Sequence, residues 1–195
     1  MNKTIPGDAN LIPANAKKVF SGKIFEVWQW PQEMYDGSTE AFEMLKRPDT
    51  VVVVAVRDGK IVITRQSQPN REEEFMDFPG GRADEGETPL ESAKREMLEE
   101  TGMKFNNWKL IEVIQPYMKM EWFIYTFLAT DFQEQTDTAH DAGEKIELVN
   151  MAFEDLKNID AKLVRFDRGI YTKYANLQDL LSAPEYKGVE YSELR

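Results

Sequence analysis

Residues 81–103 read GRADEGETPLESAKREMLEETGM. The stretch carries the start, the apolar stripe and the stop of a helix. Thr88 is an N-cap, Pro89 takes the favoured first position, and Glu91 completes a capping box. Gly102 stands where a helix ends on a left-handed residue. Leu90, Ala93, Met97 and Leu98 form the stripe expected to face a core. Glu96, Glu99 and Glu100 stand at i, i+3 and i+4 and so share one face of that helix. Arg95 precedes Glu99 by four residues and can pair with it. Glu87, in the loop entering the helix, can fold back toward the same face.

Carboxylates at helical spacing repel one another by about 0.2–0.5 kcal/mol per pair, and one arginine cannot neutralise the group. An all-oxygen set of this kind suits a hard cation, Mg²⁺ or Mn²⁺, which keeps some waters and is commonly completed by substrate phosphates. The cation reverses the local sign, so an acidic chain can take an anionic substrate. An acidic run on a helix is more often a solvated face. Here seven residues (Gly81, Glu87, Arg95, Glu96, Glu99, Glu100 and Gly102) are specified at fixed spacing. At about one use in twenty each, they match by chance roughly once in 10⁹ starting positions, which sets the solvated-face reading aside.

The surrounding chain narrows the classes further. Its 195 residues, 42% of them hydrophobic, suit one domain with a real core. Asp and Glu number 35 against 24 Lys and Arg, a net charge of −11 that disfavours nucleic-acid and anionic-membrane partners. The lack of Cys excludes disulfides, thiolate metal sites and a Cys nucleophile, and fits a reducing compartment. A single His, His140, excludes a His-rich zinc site and reads as a loop residue. Residues 1–18 show no apolar signal region, and no apolar run approaches the ~20 residues that span a bilayer, so a cytoplasmic protein is expected.

Strand signals flank the helix. Val19, Ile24, Phe25, Val27, Trp28 and Trp30 form an aromatic, β-branched stretch with a turn at Ser21-Gly22. Asp36-Gly37 and Asp58-Gly59 are hairpin signals, the first returning through 41–45, the second joining 51–56 to 61–64. The continuous apolar run at 51–56 predicts a strand buried on both faces. After the helix, 110–114, 122–129 and 147–153 read as strands, and 153–157 and 167–181 as helices, the second long. Residues 1–15 read as loosely held and the tail from 183 as peripheral. The order predicts an α+β fold, a mixed sheet with helices packed on it.

At every specified position, 81–103 resembles the Nudix box: G, five residues, E, seven residues, R-E, an aliphatic residue, one residue, E-E, one residue, G, an aliphatic residue. Met97 and Met103 fill the apolar positions, and Phe78-Pro79-Gly80-Gly81 looks like the strand end and glycine turn before the box. The resemblance implies a Nudix-type α/β/α sandwich with a mixed central sheet and an N-terminal β extension. Within the family the chain looks most like the ADP-ribose and nucleoside-diphosphate-sugar pyrophosphatases, whose N-terminal β segment matches 19–45 here. The 63–69 stretch resembles that subgroup's Gln-aromatic-Arg strand end, but Ser67 and Gln68 replace the aromatic and the Arg. The subgroup's proline marker is met by Pro116, followed by Tyr117 rather than Gly, with Glu121 five residues on.

The resemblance implies Mg²⁺-dependent hydrolysis of a nucleoside diphosphate linked to a second group. It implies Glu96, Glu100 and the Gly80 carbonyl as metal ligands, with Glu99 a further ligand or water partner. Arg95 then orients the glutamates and Glu87 steadies the loop. The general base lies outside the box in that subgroup, and Glu144 in Asp141-Ala142-Gly143-Glu144 is the candidate, with Glu121 competing. Candidate substrate contacts are Trp28, through stacking on a base, with Arg65, Gln68, Arg82 and Glu121. A nucleoside triphosphate hydrolase and a non-catalytic nucleotide-sugar sensor are the rival readings. The long β extension argues against the first, and the intact box with no basic DNA-binding segment argues against the second. Three segments are expected: 1–46 as tail and β extension, 47–182 as the Nudix domain and 183–195 as a tail. The apolar extension is expected to be buried in a two-fold homodimer.

Overall fold

The β-branched run at 51–56 forms the middle strand of a mixed sheet, as its continuous apolar character requires. The computed structural model describes residues 3–69, 72–139, 145–159, 163–164 and 169–194. In chain order its elements are β1 (Thr4–Ile5), β2 (Lys17–Ser21), β3 (Glu26–Glu33), β4 (Thr39–Lys46), β5 (Thr50–Arg57), β6 (Lys60–Ser67), β7 (Phe75–Asp77) and β8 (Gly80–Arg82). There follow α1 (Pro89–Thr101), β9 (Met103–Ile114), β10 (Met120–Glu121), β11 (Ile124–Gln135), β12 (Lys145–Met151), α2 (Gly169–Lys173), α3 (Leu177–Leu181) and β13 (Val189–Glu190).

The main sheet has the order β12-β6-β5-β11-β9, with β5 and β11 parallel and the other neighbours antiparallel. Asp58 and Gly59 both take positive φ, +50° and +73°, as a two-residue hairpin turn demands. β5 and β6 pair only beside that turn, Val56 with Ile61 and Arg57 with Lys60. Beyond it they splay. β7 and β8 enter the gap, β7 pairing with β6 and β8 with β5. The wedge is pinned on both sides: Val53 N–H donates to Pro79 O at 2.8 Å, and Thr64 Oγ1 to Asp77 O at 3.0 Å. The splay thus carries Gly80 and Gly81 into the middle of the sheet, beside α1.

One face of the sheet packs Val51, Val53 and Phe127 against Ala93 and Met97 of α1. The other packs Val54, Ile63 and Leu128 against Phe153 and Leu156 of a 3-10 helix (Phe153–Asn158), Ile170 and Tyr174 of the α2 segment, and Leu180 of α3. This is the expected α/β/α sandwich. A second sheet, β10-β4-β3-β2, carries the N-terminal extension. Its β3–β4 hairpin turns at Gly37 (φ +84°), and Trp30, Met44 and Ile12 form its small core. Among the described residues no helix is long and apolar enough to cross a membrane.

Four expectations change. The helix read over 167–181 is two short helices, because Asn176 breaks it in extended backbone (φ −159°) and caps α3 by accepting from Asp179 N–H. The helix read at 153–157 is a 3-10 turn. Leu90 is exposed, and Glu100 and Thr101 take its share of the buried face of α1. The N-terminal segment is not loosely held: β1 pairs with β13 of the tail, and Ile5 and Ile12 are buried.

Candidate active site

The cap geometry fixes where α1 starts. Thr88 accepts from Glu91 N–H, and Glu91 accepts in return from Thr88 N–H at 2.8 Å. Gly102 closes the helix in the left-handed region, its N–H donating to Leu98 O. Between these ends the Arg95 guanidinium gathers the acidic face. Its Nε donates to Glu87 Oε1 at 2.9 Å, and its Nη1 to Glu96 Oε1 and Glu99 Oε2, each at 2.9 Å. Nη2 donates to Arg82 O at 3.0 Å, which ties α1 to β8. Ser92 Oγ and Asp84 N–H also donate to Glu87. The Arg95 guanidinium, ahead of these two, holds the Glu87 carboxyl down at about 2 against the opposing effect of burial.

That shift has a consequence for stability. Glu87 is charged in the folded chain well below its ordinary pKa of 4.5, so its contribution is full above 4.5 and is lost as the pH falls toward 2. The Tm gap between wild type and Glu87→Gln is expected to be widest near pH 6 and to close through that window. A gap independent of pH would show that the charge of Glu87 contributes nothing.

Glycines let α1 approach β8. A β-carbon on Gly81 would lie 2.6 Å from the Glu96 carboxylate, and one on Gly80 would lie 2.2 Å from Val51 O. Gly80 also has φ +151°, a region L-residues rarely adopt. The two therefore separate by experiment. Gly81→Ala displaces a flexible carboxylate, so activity falls with little change in Tm. Gly80→Ala strains backbone against backbone and is expected to cost about 1–3 kcal/mol or more of stability.

Glu100 differs from its neighbours in being 5% exposed. It accepts from Gly80 N–H at 3.0 Å and from Gln66 Nε2 at 3.3 Å, and Gln66 in turn is anchored to Thr64 Oγ1. A carboxylate can be buried there because it satisfies a backbone donor of the wedge. Among the described residues no three Asp, Glu or His side chains converge as metal ligands, since Arg95 holds Glu96 and Glu99 on its own guanidinium. The donor set still has the chemistry of a hard-cation site: three carboxylates on adjacent turns, oxygen only, beside a strand free of side chains at Gly80 and Gly81.

Glu100, Gly80 and Gly81 border a cavity of about 460 Å³, together with Gln66, Gln68, Arg82, Arg47 and Trp122. Arg47 lies 4.4 Å over the Trp122 ring, Trp122 Nε1 donates to Thr50 Oγ1 at 3.0 Å, and Tyr117 stacks on Trp122. Burial and then the nearby Arg82 guanidinium push the Arg47 pKa down, and Arg47 Nε has no hydrogen-bond partner among the described residues. Two cations side by side at one wall suit an anionic ligand. A second cavity, about 580 Å³, lies on the other side of Arg47, between the β2–β3 turn and the 83–87 loop.

Of the residues singled out from sequence, Gly80, Glu100, Gln68 and Arg82 share the first cavity, with Glu96 and Glu99 joined to them through Arg95. Arg65 pairs instead with Glu147 across β6 and β12, on the surface. Trp28 donates to Glu26 on its own strand and packs on the N-terminal core. Glu121 is 2% exposed and bonded to Lys46, Ile12 and Tyr191. Glu144 and His140 lie outside the described residues. Arg47 and Trp122 carry no local sequence signal. They meet because β10 pairs in parallel with the end of β4.

Comparison with known proteins identifies the class to which this sandwich, its wedge and its Arg95 cluster belong. The model of the NUDIX domain matches residues 46–174, and the chain belongs to this family. An ADP-ribose pyrophosphatase of Bacillus subtilis (strain 168) is 29% identical over 86% of this chain and 93% of its own length. A methanol dehydrogenase activator of Bacillus methanolicus is 26% identical over 85% and 92%. A crystal structure of an ADP compounds hydrolase superposes with a TM-score of 0.61 at 21% identity, covering 86% of this chain and 89% of that one. The fold is therefore that of the family, and the chain is a Nudix pyrophosphohydrolase.

Proposed function

We propose that this enzyme hydrolyses, with Mg²⁺ or Mn²⁺, the pyrophosphate bond of a nucleoside diphosphate linked to a second group, ADP-ribose or another nucleotide sugar, in the cytoplasm. The observation that carries the reading is one cavity bordered by a carboxylate of the box, Glu100, and by two neighbouring cations, Arg47 and Arg82. Glu96, Glu99, Glu100 and Gly80 would hold the ion. When bound, such an ion neutralises phosphate oxygens and lowers the pKa of water. Arg95 holds the glutamates in place, Arg82 and Arg47 bind the diphosphate, and Gln66, Gln68 and Trp122 bound the group attached to it. Alignment with an ADP-ribose pyrophosphatase over 86% of this chain and 93% of that protein supports this over a minimal triphosphatase. A hydrolysis panel of ADP-ribose, GDP-mannose, UDP-glucose, NADH, dinucleoside polyphosphates and 8-oxo-dGTP tests it. The expected products are a nucleoside monophosphate and a sugar phosphate, abolished by a chelator. A preference for 8-oxo-dGTP, with pyrophosphate released, would overturn it.

A two-fold homodimer completes this reading. β2 is the edge strand of the N-terminal sheet, and Val19, Phe20, Ile24 and Phe25 on and beside it are exposed, Phe20 by 57%. A second copy would cover this apolar edge. Light scattering should give twice the chain mass at micromolar concentration, and the Val19→Glu/Phe20→Glu double variant should be monomeric. A wild-type monomer would count against the idea. Point changes are preferable to deleting 1–46, which would remove the buried Ile5 and Ile12 as well.

A further inference from the structure

Glu121 is a buried carboxylate with both oxygens occupied. Oε1 accepts from Lys46 Nζ and from Tyr191 Oη, each at 2.7 Å, and Oε2 accepts from Ile12 N–H at 2.8 Å. The three donors come from β4, from the segment after β13 and from the segment before β2. The ends of the chain are also joined to each other there. Tyr191 N–H donates to Lys3 O at 2.8 Å, Lys3 pairs with Asp49, and Asp49 accepts from Phe123 N–H at 3.0 Å. Glu121 is Cα partner to Lys46 in the parallel β4–β10 pair. The next residue along each segment is Arg47 or Trp122, the cation and ring that meet at 4.4 Å on the wall of the first cavity.

We propose that Glu121 is a positioning residue that clasps both ends of the chain to this wall and governs substrate binding through Arg47 and Trp122, without touching the reacting atoms. The inference rests on the function proposed above for the same cavity. Burial alone would raise the Glu121 pKa, but Lys46, Ile12 N–H and Tyr191 outweigh it and hold the group below its ordinary value. It stays an anion, and each of its oxygens already accepts a hydrogen bond. A clasp made of charge-assisted bonds fixes the spacing of β4 and β10. Loosening it lets Arg47 and Trp122 separate, and ground-state and transition-state binding suffer alike, so KM rises while kcat holds.

The test uses the full chain as wild type, Glu121→Gln, Tyr191→Phe and the double variant, well below their Tm. KM is expected to rise about tenfold in Glu121→Gln and about threefold in Tyr191→Phe, with kcat within about twofold of wild type. The double variant should be no worse than Glu121→Gln alone, because Tyr191 acts through that carboxylate. Affinity for ADP, measured by calorimetry without turnover, should weaken by the same factors. Hydrogen exchange should rise in both 3–16 and 186–194 of Glu121→Gln. A kcat loss of about 10²-fold in Glu121→Gln with KM unchanged would make Glu121 a catalytic group and overturn the proposal. So would a kinetically silent Tyr191→Phe, or faster exchange at both ends with KM and ADP affinity unmoved. If wild type cleaves none of the panel but ADP binding follows the expected order, the reaction assignment fails and the clasp stands. Wild type that does not bind ADP overturns both.

Discussion

Glu96→Gln is expected to lower kcat by at least ~10²-fold and to leave Tm almost unchanged, whereas Glu100→Gln should lose both activity and stability. The carboxylates differ in what surrounds them. Glu96 is partly exposed and bonded to Arg95 Nη1, and its amide still offers that donor an oxygen. Glu100 is buried with a donor on each oxygen, Gly80 N–H and Gln66 Nε2. An amide there has one acceptor and turns an NH₂ toward the other donor, leaving a buried polar group unpaired at about 1–3 kcal/mol. For a chain of this size that is a Tm loss of about 2–12 °C. Kinetics with Mg²⁺, thermal melts and calorimetric metal titration on both variants separate the effects. Wild-type kcat in either variant, with metal affinity intact, would remove that glutamate from the ligand set.

Local signals made some of this arrangement readable. The capping box, Gly102 and the two Asp-Gly turns each state a backbone conformation in one to four residues, and each is found as read. The i, i+3, i+4 glutamates and Arg95 are likewise neighbours because one helix carries them. What was hidden depends on long-range pairing. Hydrophobic periodicity puts Leu90 inside and the glutamates outside, but the splay of β5 from β6 brings a backbone donor to Glu100 and buries it. The terminal segments look peripheral because their partners, Glu121, Asp49 and β13, lie far along the chain or at its other end. The Arg47–Trp122 wall exists only once two residues of β10 pair with β4. Asn176 is a local stop signal inside an apparently continuous helical pattern.

Glu144→Gln is expected to lower kcat by about 10²–10⁴-fold while KM and metal affinity stay near wild type. A general base needs an oxygen free for the water's proton and a pKa that is not driven far down. Arg95 holds Glu87 at about 2, which makes it too weak a base. Glu96 and Glu99 share Arg95 Nη1, and Glu100 accepts from Gly80 and Gln66. Glu121 has three donors on two oxygens and a lowered pKa. These five groups are already engaged, and the family resemblance points to the Asp141-Ala142-Gly143-Glu144 segment ahead of β12. If Glu144 is the base, the acid limb of the kcat–pH profile belongs to it. Glu144→Gln should then flatten that limb as well as lower the plateau, and Glu121→Gln should leave its position unchanged. Wild-type kcat in Glu144→Gln would refute the assignment, and a crippled Glu121→Gln beside it would return the role to the buried clasp.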